Sequence, residues 1–262
     1  MVHTHTVQVG GETVEYRVAG QGPPLVYLHG GLADTEWLPV LDAWAQRFTV
    51  YQPLHPGFGN STGGERLGSM EDLVFHFLDW LGCVSLEGAP LTLVGSSFGG
   101  WLAAEVASRY PSAVTSLGLI AAAGLWIDEV PPAELFGNDP PRLAELLFAD
   151  LDHPVAAMMR AVTDVAQLPE EVIVRQFRAM EALARVAWNP YFHNPKLEGR
   201  LCRIRAATTV VWGEQDRFFP PVYGRRYAER IAGARLVVVP GAGHLVVLEQ
   251  PERVAAAIVS PA

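Results

Sequence analysis

Pro90-Leu91-Thr92-Leu93-Val94-Gly95-Ser96-Ser97-Phe98-Gly99-Gly100-Trp101-Leu102-Ala103-Ala104-Glu105-Val106-Ala107 is the stretch on which the rest of the chain turns. The apolar run Leu91 to Val94 has the length of a buried strand and stops at Gly95. Past Gly100 the chain becomes rich in Ala, Leu and Glu, which favours a helix. The stretch therefore predicts strand, tight turn and helix, with Ser97 at the apex. A serine in such a turn is held in a strained backbone conformation while a neighbouring chain presses close. Glycines 95, 99 and 100 leave the room for that. The amide of Phe98, at the start of the helix, then points where an oxyanion would develop.

The pattern G-x-S-x-G occurs twice, because Gly59-Asn60-Ser61-Thr62-Gly63 matches as well as the stretch around Ser97. Context separates the two. Ser61 lies among Gly, Asn, Thr and Glu with no apolar strand feeding it, so it reads as a polar turn. Ser97 has the strand before it and the helix after it, and is the expected nucleophile.

Working outward, 262 residues of which half are hydrophobic and 18% charged describe one large domain, or one domain carrying an insertion. The net charge of -9 argues against a nucleic-acid partner, which would want a basic face, and against docking to anionic membranes. No apolar leader segment follows Met1, and no run approaches the length of a membrane span. Cys83 and Cys202 are expected as two free, mostly buried thiols in a cytoplasmic chain. No metal-ligand or phosphate-loop motif is present, so no cofactor and no metal are expected.

Thr6 to Val9 and Thr13 to Val18, separated by Gly10-Gly11, read as an N-terminal hairpin. Leu25 to Leu28 is a continuous apolar run, as for a strand buried on both faces, ending in His29-Gly30-Gly31-Leu32. A helix is expected over 36–48, a strand over 48–51 and a helix over 70–81, with Leu73, Phe77 and Trp80 on one face. Val114 to Ile120 is a further strand. From Gly124 to about Arg200 no strand pattern appears. Helices over 143–150, 155–165 and 170–186, punctuated by prolines, suggest an inserted cap. Alternation then resumes with strands over 209–212 and 236–239 and helices over 222–231 and 251–259. The pattern implies a mostly parallel, doubly wound α/β sheet. Its core would be 1–123 and 201–262, with the cap at 124–200.

A serine hydroxyl needs an adjacent base, and the base needs orienting. The strand at 209–212 leads into Gly213-Glu214-Gln215-Asp216, which sets two acids at a strand's carboxyl end. The strand at 236–239 leads into Pro240-Gly241-Ala242-Gly243-His244. Ligand sites on open parallel sheets lie at those ends. Asp216 has the spacing expected of the orienting acid, and Glu214 is its competitor. His29 and His55 read as loop-bracing residues rather than bases. Together these stretches resemble the α/β-hydrolase fold superfamily over nearly the whole chain. His29-Gly30-Gly31 is similar to its oxyanion loop, and Pro56-Gly57-Phe58-Gly59-Asn60-Ser61 to its P-G-F/Y-G-x-S loop. Trp212-Gly213-Glu214-Gln215-Asp216 is similar to its acid motif, and Gly243-His244 to its G-H motif. One departure is Leu54-His55, where the family commonly has an Asp and the residue after it.

The resemblance implies Ser97 as nucleophile, His244 as base and Asp216 as orienter, with oxyanion amides from Phe98 and from Gly31 or Leu32. Trp126, Phe136, Met158, Met159 and Trp188 are candidates to line the substrate pocket. The expected activity is a serine hydrolase, carboxylesterase-like, acting on a small-molecule substrate as a monomer or homodimer. Two alternatives stand beside it: cleavage of a β-diketone-type carbon–carbon bond by the same triad, with a perhydrolase as a variant, and a ligand receptor with little turnover.

Overall fold

The computed structural model describes residues 1–32 and 34–259. An eight-stranded sheet forms the middle layer. Strands β1 (His3–Val9) and β2 (Glu12–Ala19) make the antiparallel hairpin, with Val9 opposite Glu12. Strands β3 (Pro24–Leu28), β4 (Thr49–Pro53), β5 (Leu91–Ser96), β6 (Val114–Ile120), β7 (Ala207–Gly213) and β8 (Arg235–Val239) are parallel to one another. The order across the sheet is β1-β2-β4-β3-β5-β6-β7-β8, and β2 joins β4 antiparallel.

Both faces of the parallel part are covered, and β3 shows why its sequence lacks polar residues. Leu25 and Tyr27 enter one core, and Val26 and Leu28 the other. Helices α1 (Pro39–Ala45), α2 (Met70–Cys83) and α3 (Ser97–Arg109) follow strands β3, β4 and β5. The helix expected over 36–48 is shorter because Pro39 forces Leu38 into extended backbone at φ -96° and ψ 155°.

Between β6 and β7 the chain forms α4 (Pro140–Leu147), α5 (Pro154–Ala161), α6 (Glu170–Ala187) and the short α7 (Leu197–Arg200). Prolines open these helices instead of breaking them. Pro140 and Pro154 occupy first-turn positions and Pro169 precedes α6, where a missing amide costs nothing. Asp139 caps α4 by accepting from the Arg142 amide at 2.9 Å, so α4 starts three residues earlier than the apolar spacing alone suggests. The excursion leaves and returns at one place. The Gly124 amide donates to Phe192 O at 2.8 Å, and the Asn194 amide to Gly124 O at 3.1 Å. Helices α8 (Val222–Arg230), α9 (Val246–Glu249) and α10 (Pro251–Val259) complete the chain.

The thiols are placed otherwise than expected. Cys83 and Cys202 are free but both exposed. Cys83 ends α2 beside Val84, past the buried face formed by Leu73, Phe77 and Trp80, so an apolar helix does not bury its last residue. No described helix is long and apolar enough to cross a membrane.

Candidate active site

The carboxyl ends of β3, β5, β7 and β8 converge on one point. At the end of β5 the chain turns through Ser97, whose φ of 49° is left-handed and rare for a residue with a side chain. The turn is tight enough that a Cβ on Gly95 would stand 2.2 Å from Gly99 O. One on Gly99 would stand 2.2 Å from Leu28 O. Those neighbours are backbone and have no room to give, so the two glycines are steric requirements. The strain falls on the serine, and it sets the Oγ at the surface of the turn.

Ser97 Oγ lies 2.9 Å from His244 Nε2, and His244 Nδ1 lies 2.9 Å from Asp216 Oδ2. A carboxylate only accepts, so Nδ1 carries the proton and Nε2 is free to accept from the serine hydroxyl. The second oxygen of Asp216 accepts from the amides of Phe218 at 2.9 Å and Phe219 at 2.8 Å, which fixes the carboxylate plane. All three residues are buried. Glu214, the competing acid, is exposed, and its amide is spent on Val239 O. Ser97, Asp216 and His244 are thus brought together as expected from their motifs.

On the other side of Ser97 lies the loop after β3. Gly31 and Leu32, two of the expected oxyanion donors, line the cavity over Ser97, and Phe98, the third, lies in the first turn of α3 directly after Ser97. Gly30 is not a donor there, because its amide is held by Asp34 Oδ2 at 2.6 Å. Two histidines brace this loop. The His29 ring donates from Nδ1 to Gly30 O at 2.6 Å and accepts at Nε2 from the His55 amide at 3.0 Å. His55 Nε2 donates to His29 O at 2.9 Å. Burial pushes the His29 pKa well below its usual value, helped by the neighbouring His55, and lowers that of His55 to about 4. Both rings are therefore neutral at physiological pH, as bracing requires.

The space over Ser97 is a cavity of about 10 Å³, walled by the oxyanion loop, Leu135, Leu183, Phe192, Phe218 and Leu245. That holds about one water molecule. None of the five pocket candidates is among its lining residues. Trp126 lies tilted against His193, ring centroids 5.2 Å apart, and Phe136 sits among Trp188, Tyr191 and Phe192. Met158 and Trp188 are exposed, and Met159 packs at the edge of the core. Large apolar side chains in amphipathic helices mark a packing face, but not which face looks at Ser97. Phe218 was within reach of sequence reasoning, since it follows the acid by two residues. Asp34 was too, as the first acid after the oxyanion loop.

The loop of the histidine is tied to the inserted helices. Glu249 Oε2 accepts from the Gly243 amide at 2.6 Å, while its Oε1 accepts from Ala149 and Asp150, both at 2.8 Å. The Leu245 amide donates to Leu147 O at 3.0 Å.

The chain is 24% identical over 266 residues to monoacylglycerol lipase ABHD6 of Mus musculus, covering 92% of this chain and 75% of that one. It is 24% identical over 269 residues to a 2-hydroxy-6-oxo-6-(2'-aminophenyl)hexa-2,4-dienoic acid hydrolase of Metapseudomonas resinovorans, covering 97% and 89%. In structure it resembles a serine hydrolase involved in carbazole degradation, with a TM-score of 0.80, 20% identity and coverage of 98% and 97%. The alpha/beta hydrolase family matches residues 25–257, from β3 almost to the end of α10, and the chain belongs to that family.

Proposed function

We propose that the protein is a serine hydrolase that cleaves a small to medium, partly apolar carboxylic ester through an acyl-enzyme on Ser97. The observation that carries this reading is the hydrogen-bonded line from Ser97 Oγ through both nitrogens of His244 to Asp216. Ser97 Oγ attacks the carbonyl while Nε2 takes its proton, and Asp216 stabilises the imidazolium without itself being protonated. The oxyanion is met by the Phe98 amide and one from Gly31 or Leu32. His244 then gives its proton to the leaving alkoxide. In the second half it activates a water that releases the acid and restores Ser97. The residues 124–200 act as a cap in this scheme, because Leu135, Leu183 and Phe192 close the space over the nucleophile and exclude water.

The wall chemistry favours an ester over the dienoic acids named for the Metapseudomonas relative. An anionic substrate wants a cation, yet the cavity wall has no lysine or arginine among the described residues, and Asp34 adds a carboxyl. The test is labelling by an active-site fluorophosphonate with turnover of esters of graded acyl length. Serine-specific labelling with ester turnover is expected. A folded protein that neither labels nor turns over esters, but gains thermal stability with a ligand, would make it a receptor. Cleavage of a vinylogous diketone at a rate above that of every ester would move the reading to carbon–carbon hydrolysis.

A further inference from the structure

Ser97, His244, Asp216 and loop amides carry the proposed chemistry, and one buried carboxyl oxygen at the same cavity takes no part in it. Asp34 is 1% exposed and lines the space over Ser97. Its Oδ2 accepts from the Gly30 amide and, at 3.0 Å, from the Tyr27 hydroxyl. Among the described residues its Oδ1 has no hydrogen-bond partner. Anchoring the loop requires Oδ2 alone, and a buried carboxyl oxygen left unpaired is destabilising. Apart from Ser97 and His244, the side chains that share the cavity wall with it offer carbon: Leu32, Leu135, Leu183, Phe192, Phe218 and Leu245.

We propose that Asp34 is a specificity-determining residue, with Oδ1 accepting a hydrogen bond from a hydroxyl that the substrate carries near its scissile carbonyl. This rests on the ester reading and deepens it, because the favoured class becomes hydroxy-substituted esters. Asp34 hydrogen-bonds back to Gly30, so its carboxyl lies beside the oxyanion loop, and the hydroxyl belongs a few bonds from the carbonyl. Two donated hydrogen bonds on Oδ2 and the nearby His244 favour the carboxylate form. Burial works against them and raises the Asp34 pKa, and a donated hydroxyl compensates for that burial. A site built around a hydroxyl rejects the analogue that lacks it, because its own acceptor is then left unpaired.

The experiment compares two esters of one alcohol, carrying a β-hydroxy and a β-methoxy acyl group of equal length. The methoxy compound keeps the oxygen and removes the donor. Wild-type kcat/KM is expected to favour the hydroxy ester by about 10- to 100-fold. Asp34→Asn keeps an oxygen for Gly30 and Tyr27 but presents an amide donor to the substrate, so this ratio should fall to about one or invert. Asp34→Ser, which withdraws the oxygen from the cavity, gives a second variant with the same expectation should the first not fold. Equal wild-type rates for the two esters overturn the proposal. So does a variant that slows both equally, since that is a loop anchor. Absence of turnover with Ser97 intact defeats the ester reading instead. Asp34 is then judged by calorimetric affinity of the Ser97→Ala protein for the two compounds, where a tenfold preference for hydroxyl supports it and equal affinity overturns it.

Discussion

Gly59-Asn60-Ser61-Thr62-Gly63 and Gly95-Ser96-Ser97-Phe98-Gly99 share one five-residue pattern and do opposite things with it. In the first, the glycines take the left-handed backbone, at φ 55° and 84°, and the serine is spent. Ser61 Oγ donates to Leu54 O at 2.9 Å and accepts from the Glu15 amide at 3.0 Å. In the second, the serine itself takes the left-handed backbone while the glycines supply clearance, and its Oγ faces a base. One hydroxyl is saturated by backbone and inert. The other is held where only an imidazole meets it. The first loop still serves the second, because the residue after Leu54 is His55, which braces His29 and the oxyanion loop.

The largest expected effect lies at Ser97. Ser97→Ala should abolish fluorophosphonate labelling and lower ester turnover by about a millionfold, since the attacking atom is gone. If labelling persists in this variant and disappears in Ser61→Ala, the two motifs have been assigned the wrong way round.

Asp216→Asn should fold normally yet cost about ten-thousandfold in turnover, because the amide favours the wrong histidine tautomer. Glu214→Gln, changed at an exposed position, should stay within about tenfold of wild type. Turnover of one soluble ester by both variants, with circular dichroism to show folding, decides between the acids.

The glycines differ in what they give. A Cβ on Gly99 meets the Leu28 carbonyl, so Gly99→Ala should destabilise by about 3 kcal/mol or more. At Gly63 the nearest atom is the Glu12 side chain at 2.7 Å, which swings aside, and the cost is the left-handed backbone, about 1–2 kcal/mol. Urea unfolding of the two variants measures the difference, and equal losses would mean that clearance at the turn is not what selects glycine there.

His55 links the two loops and sets a pH signature. Its folded pKa of about 4 lies below the unfolded value near 6.5. The unfolded chain therefore binds the extra proton between those values, and stability falls as pH drops through that window by up to about 1.4 kcal/mol per pH unit. Above about pH 6.5 the contribution is complete and flat. His55→Gln should remove this part of the acid slope, read from unfolding midpoints across pH 4 to 7 (about that range). An unchanged slope would show that His55 titrates normally. The smallest effect belongs to Ser61→Ala. It should cost about 1 kcal/mol through the lost backbone ties and leave turnover within about threefold.

The strands and the meeting of Ser97, Asp216 and His244 were legible because their signals are local. A run such as Leu25–Leu28 that enters two cores must be apolar throughout, and Gly95 and Gly99 are imposed by contacts within the same turn. The triad needs three loops at the carboxyl ends of parallel strands, which alternation alone predicts. The cavity wall was not legible. Leu183 lies on α6 beside Ala182, Val186 and Ala187, and nothing in that spacing says that Gly31 is the neighbour. Met158 and Trp188 carry the larger apolar surfaces and are nevertheless exposed. The exposed thiols teach the same lesson: residue type gives a preference for burial, and position on the helix decides it.

Glu249 has a consequence for how such a chain can be recombined. One carboxylate holds both the loop of His244 and the backbone at Ala149 and Asp150, so the segment after α4 and the histidine loop are tied together. Any opening over Ser97 that keeps those bonds leaves the Ala149–Asp150 backbone in place. A chimera that borrows its substrate chamber from a relative inherits the same constraint. Joined after Asp150, the graft leaves the base seated. Joined at Gly124, it has to bring two amides of its own for Glu249 to hold.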